Sequence, residues 1–121
     1  MNLNDIIKFD ENGLIVAVAQ DAATGQVLMV GYMNAESLAI TLNERRAGFW
    51  SRSRGRLWRK GETSGHFLMV EEVRVDCDAD ALVLKCNAAG PTCHTNETSC
   101  FYRIVNFDGT VTLSGDGVAI Q

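Results

Sequence analysis

The chain has 121 residues, with 15 acids against 11 Lys and Arg for a formal charge of −4, 46% hydrophobic and 21% charged residues, and a single proline. That length suits one domain, 1–121, able to bury roughly two-thirds of its unfolded surface without cross-links. The composition excludes a bilayer span, which needs ~20 consecutive apolar residues, and an acidic chain is not a nucleic-acid binder as a whole.

Asp5, Asp10 and Glu11 stand where a secretory leader would be basic and then apolar, so a cytoplasmic protein is expected. Residues 15–18 and 26–30 read as strands joined by a turn at Ala22-Ala23-Thr24-Gly25. Asn34 suits an N-cap, and Glu36 places negative charge at the positive end of a helix over about 35–47. On that helix Ala35, Leu38, Ala39 and Leu42 share a face, Arg45 and Arg46 fill the last turn, and Gly48 can supply a left-handed stop. Residues 49–54 and 57–60 alternate around Gly55 as a hairpin, and 67–75 and 82–85 are further strands. A polar loop at 87–100 holds Gly90 and Pro91, and 101–105 and 110–113 flank the hairpin signal Asp108-Gly109. The expected class is α+β: a mostly antiparallel sheet with one main helix and a metal-binding loop at 87–100.

Charge is segregated. Seven of the eleven cations lie between Arg45 and Lys60, a window without acids, and five of the fifteen acids lie between Glu71 and Asp80. Such a surface presents one face to an anion and another to a cation, unless the two segments simply pair with each other.

The cysteines are Cys77, Cys86, Cys93 and Cys100. Structural disulfides need an oxidising compartment, and nothing here directs export. The spacing lacks the close pairs of a structural zinc finger. Cys93 and Cys100 share a loop while Cys77 comes from elsewhere, and three thiolates with one open position is the pattern of a catalytic zinc site. Cys86 alternates with Leu82 and Leu84, so it reads as a buried small hydrophobe; as a fourth ligand it would close the site.

If Asp76-Cys77-Asp78-Ala79-Asp80 is extended, its period of two puts three carboxylates on one face and Cys77 on the other. An all-oxygen set suits Mg²⁺ or Ca²⁺. Cys77 on the far side then points to a zinc completed by Cys93 and Cys100 of another subunit. His94 follows a candidate ligand and is placed to act as general acid or base, whereas His66 is either a second proton carrier or a strand-end residue. The basic hairpin interleaves Trp50, Ser51, Arg52, Ser53 and Arg54 with Trp58, Arg59 and Lys60, and the glycine-bounded run Gly61-Glu62-Thr63-Ser64-Gly65 follows. Guanidinium forks, hydroxyls and free amides suit phosphate, and aromatic faces suit a purine.

Together these stretches resemble the phosphoribosyl-AMP cyclohydrolase family of histidine biosynthesis. The resemblance rests on Gly31-Tyr32-Met33-Asn34 with Glu36, Trp50-Ser51-Arg52-Ser53-Arg54, Leu57-Trp58, Lys60-Gly61-Glu62-Thr63-Ser64-Gly65, Asp76-Cys77-Asp78-Ala79-Asp80, Gly90-Pro91-Thr92-Cys93-His94-Thr95 and Ser99-Cys100-Phe101-Tyr102. It implies Zn²⁺ on Cys77, Cys93 and Cys100, shared across a homodimer, and Mg²⁺ on Asp76, Asp78 and Asp80. It also implies hydrolytic opening of a purine ring between N1 and C6. Trp50, Ser51, Arg52, Ser53, Arg54, Lys60, Glu62 and Ser64 are then the expected substrate-binding residues, with no nucleic-acid or membrane partner.

The chain departs from the family pattern at Asn96, where glycine is usual, and at Phe49, where tyrosine is common. Asn is the non-glycine residue that best tolerates a left-handed backbone, so the loop should survive. Many relatives carry a pyrophosphohydrolase domain after this one, so that activity is expected to reside elsewhere. A three-thiolate zinc leaves its water less acidic than the ~7 of a histidine site, which makes a separate base useful and gives His94 that role. Two rivals come from other classes. A zinc nucleobase deaminase needs a His/Cys-x-Glu motif ahead of Cys-x-x-Cys, and neither is present. A zinc-containing nucleic-acid module without turnover would use Cys86 as fourth ligand and show salt-sensitive binding.

Overall fold

The computed structural model describes residues 1–113; the last part of the expected 1–121 domain lies outside the described residues. The chain order is α1 (Leu3–Ile6), β1 (Ile15–Asp21), β2 (Val27–Met33), α2 (Ala35–Glu44), β3 (Gly48–Ser51), β4 (Arg56–Arg59), β5 (Leu68–Val75), β6 (Ala81–Ala88), β7 (Arg103–Val105) and β8 (Val111–Leu113). Strands β1 to β6 form one sheet in the order β4-β3-β2-β1-β6-β5, and β7-β8 form a separate hairpin. The α+β class and the mostly antiparallel sheet agree with the sequence reading. The interior pair β1–β6 is parallel, from Val16 opposite Ala81 to Asp21 opposite Cys86.

Alternation explains why the sheet has one buried face. Ile15, Ala17 and Ala19 of β1 and Leu82, Leu84 and Cys86 of β6 point into the core. Phe49, Leu28, Met33 and Leu68 complete it, each wholly buried. The sheet curls until edge strand β5 meets the segment that leads into β3: Ala47 donates to the Leu68 carbonyl (2.9 Å) and Val70 to that of Arg45 (2.8 Å), while Lys60 donates to that of Ala47 (2.9 Å) and extends the β3–β4 pair. Gly31 is required by packing, because a Cβ there would lie 2.6 Å from the Phe49 ring. That ring also sits 5.2 Å from Trp58, so position 49 is filled by packing without a hydroxyl to satisfy.

Helix α2 starts as expected. Asn34 Oδ1 accepts from Ser37 N–H (2.8 Å), and Ser37 Oγ accepts from Asn34 N–H (2.9 Å). Its end and its face differ from the sequence reading. The helix stops at Glu44, not 47, and the left-handed cap is Arg45 (φ 59°), not Gly48, which begins β3. The reason is tertiary: the Arg45 carbonyl and the Ala47 N–H are taken by β5. The buried helix residues are Ser37, Leu38 and Thr41, while Leu42 is about half exposed. Thr41 Oγ1 donates to the Ser37 carbonyl (2.8 Å) and accepts from Gly48 N–H (2.9 Å), so a polar residue fits the inner face at no desolvation cost. The short α1, in which Asn2 N–H donates to the Asp5 carboxylate (3.0 Å), was not foreseen.

Candidate active site

The basic hairpin, the glycine-bounded turn and the cysteine loop converge. A cleft of about 440 Å³ is lined by the expected residues Ser51, Arg54, Lys60, Glu62, Ser64 and His94. Trp50, Arg52 and Ser53 face an adjacent concavity of about 500 Å³, which shares Ser51 and Trp58 with the first. Arg52 lies there with its guanidinium 4.0 Å from the Tyr32 ring centre. The sequence reading omitted Arg56, Trp58, Arg59 and Thr63 from the substrate-binding set, though all four line the cleft. Counting back from Lys60 by two along the strand gives Trp58 and Arg56, a signal that was available.

Charge within the cleft is unequally committed. Arg59 makes two hydrogen bonds to Glu44, both 2.9 Å, and Arg56 pairs with Glu62 at 2.6 Å. Glu62 also accepts from Arg59 N–H (3.1 Å); this bond first, then the Arg56 guanidinium, holds its carboxyl below the usual range. Glu62 therefore braces the cleft wall. Among the described residues Arg54 and Lys60 have no ion-pair partner, leaving two cations for an anionic ligand. No ion pair among the described residues joins the 45–60 cations to the 71–80 acids either, so the two charged segments do not neutralise each other.

The cysteine loop is a tight excursion pinned at both ends. Thr92 N–H donates to the Thr98 carbonyl (3.2 Å), Cys93 N–H to that of Glu97 (3.1 Å), and Asn96 N–H to that of Cys93 (2.9 Å). Asn96 sits at φ 68°, the left-handed backbone expected of it. Ser99 Oγ donates to the Val27 carbonyl (2.6 Å) and accepts from Phe101 N–H (2.9 Å), while Cys100 N–H donates to Leu28 (2.7 Å). The start of β2 thus fixes where Cys100 lies.

Two of the thiols meet. Burial opposes ionisation of Cys93, but Thr95, whose Oγ1 donates at 3.0 Å, the Cys100 thiol and the Lys60 charge outweigh it and lower its pKa. Burial first, then the facing Cys93, pushes Cys100 up to about 11. Two neighbouring thiols beside a lysine, one with its pKa lowered, suit a thiophilic cation, which displaces thiol protons on binding. The Thr92 hydroxyl next to Cys93 is buried without a hydrogen-bond partner. Cys77 is exposed and joins no group of three ligand atoms with Cys93 and Cys100 within 4.8 Å of one another. Cys86 is wholly buried in the core cluster, as expected, and all four thiols are free.

Asp76 to Asp80 are not extended, which corrects the sequence premise that opposite faces separate Cys77 from the carboxylates. They form the turn between β5 and β6, because antiparallel neighbours require a reversal there. Asp76 Oδ1 accepts from Asp80 N–H (3.0 Å) and Ala81 N–H (3.2 Å), and Ala79 takes φ 61°. The carboxylates still converge: ligand oxygens of Asp76, Asp78 and Asp80 lie within 4.8 Å of one another. The Asp78 carboxyl beside it, then burial and the Asp78 and Asp76 charges, raise Asp80; for Asp76, burial opposes ionisation but the two amide bonds prevail and lower it. An all-oxygen cluster holding a surplus of negative charge matches a hard divalent cation.

Residues 29–102 match the family described as Phosphoribosyl-AMP cyclohydrolase. The chain is 57% identical to the phosphoribosyl-AMP cyclohydrolase of Hyphomonas neptunium over 108 residues, 89% of this chain and 82% of that protein. It is 54% identical to that of Chloroherpeton thalassium over 110 residues, covering 91% and 79%. Against that of Zymomonas mobilis the identity is 51% over 110 residues, covering 91% and 89%.

Proposed function

The chain belongs to the phosphoribosyl-AMP cyclohydrolase family of hydrolases acting on cyclic amidines, and from that premise we propose that it opens the purine ring of 1-(5-phosphoribosyl)-AMP between N1 and C6 in histidine biosynthesis. It does so as a cytoplasmic homodimer using Zn²⁺ and Mg²⁺. The observation that carries this reading is the position of His94, which follows Cys93 in the chain and lines a cleft whose cations without an ion-pair partner among the described residues are Arg54 and Lys60.

The donor sets fit both metals. Cys93 and Cys100, with Cys77 of a second copy, would hold Zn²⁺, and Asp76, Asp78 and Asp80 would hold Mg²⁺. Bound there, zinc supplies Lewis acidity that makes a water reactive near neutral pH, and magnesium supplies positive charge for a phosphate oxygen. The protein's residues do the rest. Arg54 and Lys60, with the hydroxyls of Ser51 and Ser64, grip a phosphate, and the Trp58 ring offers a face to the purine. Water adding to C6 must lose a proton, which the His94 imidazole accepts; when the C6–N1 bond breaks, N1 must gain one, which the same imidazole returns.

The separation of Cys77 from the other two thiols within one chain supports the homodimer. So does the hairpin β7–β8, where Val105, Phe107 and Val111 are all more than half exposed. Stripping metals with a chelator and assaying ring opening by near-ultraviolet absorbance tests the reading. Turnover is expected to vanish, to return with Zn²⁺ and Mg²⁺ together, and to be reduced at least a hundredfold, about 3 kcal/mol, by His94→Ala. Undiminished turnover after complete removal of both metals would overturn the metal assignment.

A further inference from the structure

His66 stands between two backbones. On one side is Gly61, at φ +90°, where a Cβ would lie 2.6 Å from both the His66 carbonyl carbon and the Phe67 nitrogen. On the other is Gly90, where a Cβ would lie 2.7 Å from His66 Cδ2 and 3.0 Å from Cγ. Gly90 is not among the residues with positive φ, so its backbone does not demand glycine; the imidazole ring does. One residue further on, the Phe67 carbonyl accepts from Ala89 N–H at 2.9 Å, tying the same two segments together.

These two segments carry the two halves of the cleft. Gly61 opens the turn that presents Glu62, Thr63 and Ser64, closed by Gly65 N–H donating to the Gly61 carbonyl at 2.8 Å. Gly90 starts the loop that reaches Cys93 and His94 within four residues, with Pro91 stiffening the first step. His66 therefore spans the gap between the turn facing the ligand and the loop bearing the proton carrier, its backbone against Gly61 and its ring against Gly90.

We propose that His66 is a positioning residue: its imidazole, wedged against the Gly90 backbone, sets the distance of His94 and Cys93 from the glycine-bounded turn. The inference rests on the reading of the His94 cleft as the reaction site. Misplacing a catalytic group by about 1 Å costs up to about a hundredfold in rate, so a wedge of one ring is enough to matter. His66 takes no proton from substrate in this role, and its removal acts on kcat more than on KM.

Three variants test it: Gly90→Ala, His66→Ala and the double variant, each assayed for kcat, KM and thermal midpoint. Gly90→Ala drives a methyl into the ring, and a fall in kcat of roughly ten- to a hundredfold is expected. His66→Ala should lower kcat roughly three- to tenfold with KM and the thermal midpoint nearly unchanged. Because the methyl then occupies the space the ring vacated, the double variant should recover to at least the His66→Ala level. A double variant no better than Gly90→Ala, or a His66→Ala enzyme with wild-type kcat, overturns the proposal. Added Co²⁺ reports separately on the thiols: absence of thiolate–cobalt absorption in the wild-type protein would count against the metal reading, while the kcat comparison still decides the role of His66.

Discussion

Cys86 is where one atom's surroundings have a consequence for the folded chain. Burial above all, with the charges of Asp21 and Glu71, pushes its thiol from 9.0 up to about 12. The unfolded chain ionises this group near 9, while the folded chain holds the proton to about 12. Its contribution to stability is therefore complete below 9 and is lost as pH rises from 9 toward 12. Cys86→Ala is expected to cost about 1 kcal/mol at about pH 8, and that cost should shrink above about pH 9 and reverse sign by about pH 10.5, read from urea midpoints of the two proteins. A gap that stays constant across that range would show that the thiol is not held neutral by the core. Residue-level chemistry of this kind was legible in the sequence. Alternation with Leu82 and Leu84 marked Cys86 as core, Asn34 could cap only what followed it, and Asn96 tolerates the left-handed backbone it adopts. Each depends on neighbours a few positions away. The spacer role of His66 was not legible, because Gly90 lies 24 positions on and only the fold brings them together.

At the scale of elements, β2 does more than add a strand, since its first two carbonyls hold the end of the cysteine loop. Ser99→Ala removes the hydroxyl that serves both the Val27 carbonyl and the Phe101 N–H. Two backbone groups lose a partner, and a loss of about 1–3 kcal/mol in urea unfolding is expected, with weaker Zn²⁺ binding in a competition titration. Unchanged stability and unchanged zinc affinity would mean that the Cys100 amide alone anchors the loop. Where the sequence misjudged elements, a distant partner was responsible. Helix α2 is cut short at Glu44 because β5 claims the Arg45 carbonyl, and no local pattern around residues 45–47 encodes β5. The run from Asp76 to Asp80 is a turn rather than a strand because β5 and β6 must reverse. The acids meet in either shape, so the expected carboxylate cluster survived a wrong premise about its backbone.

In the whole molecule, the sheet order places the basic hairpin at one edge and acid-rich β5 at the other. The parallel pairing of β1 with β6 lies inside the sheet, and it was not legible, since a parallel partner is chosen by topology rather than by adjacency. Curling then brings β5 against the segment that leads into β3, and the cleft forms where the hairpin, the glycine-bounded turn and the cysteine loop meet. A single chain supplies two thiols facing each other and a third set apart, and in the proposed reading a second copy completes the set. The measurement that tests this most directly mixes Cys77→Ser chains with Cys93→Ser chains, re-forms dimers, and records ring opening. Each variant alone should be inactive. The mixture should recover roughly one quarter of wild-type turnover, because half the dimers are mixed and each of those holds one intact site of two. A mixture as inactive as its parents, with mixed dimers shown to be present, would contradict a site built from two copies of this chain.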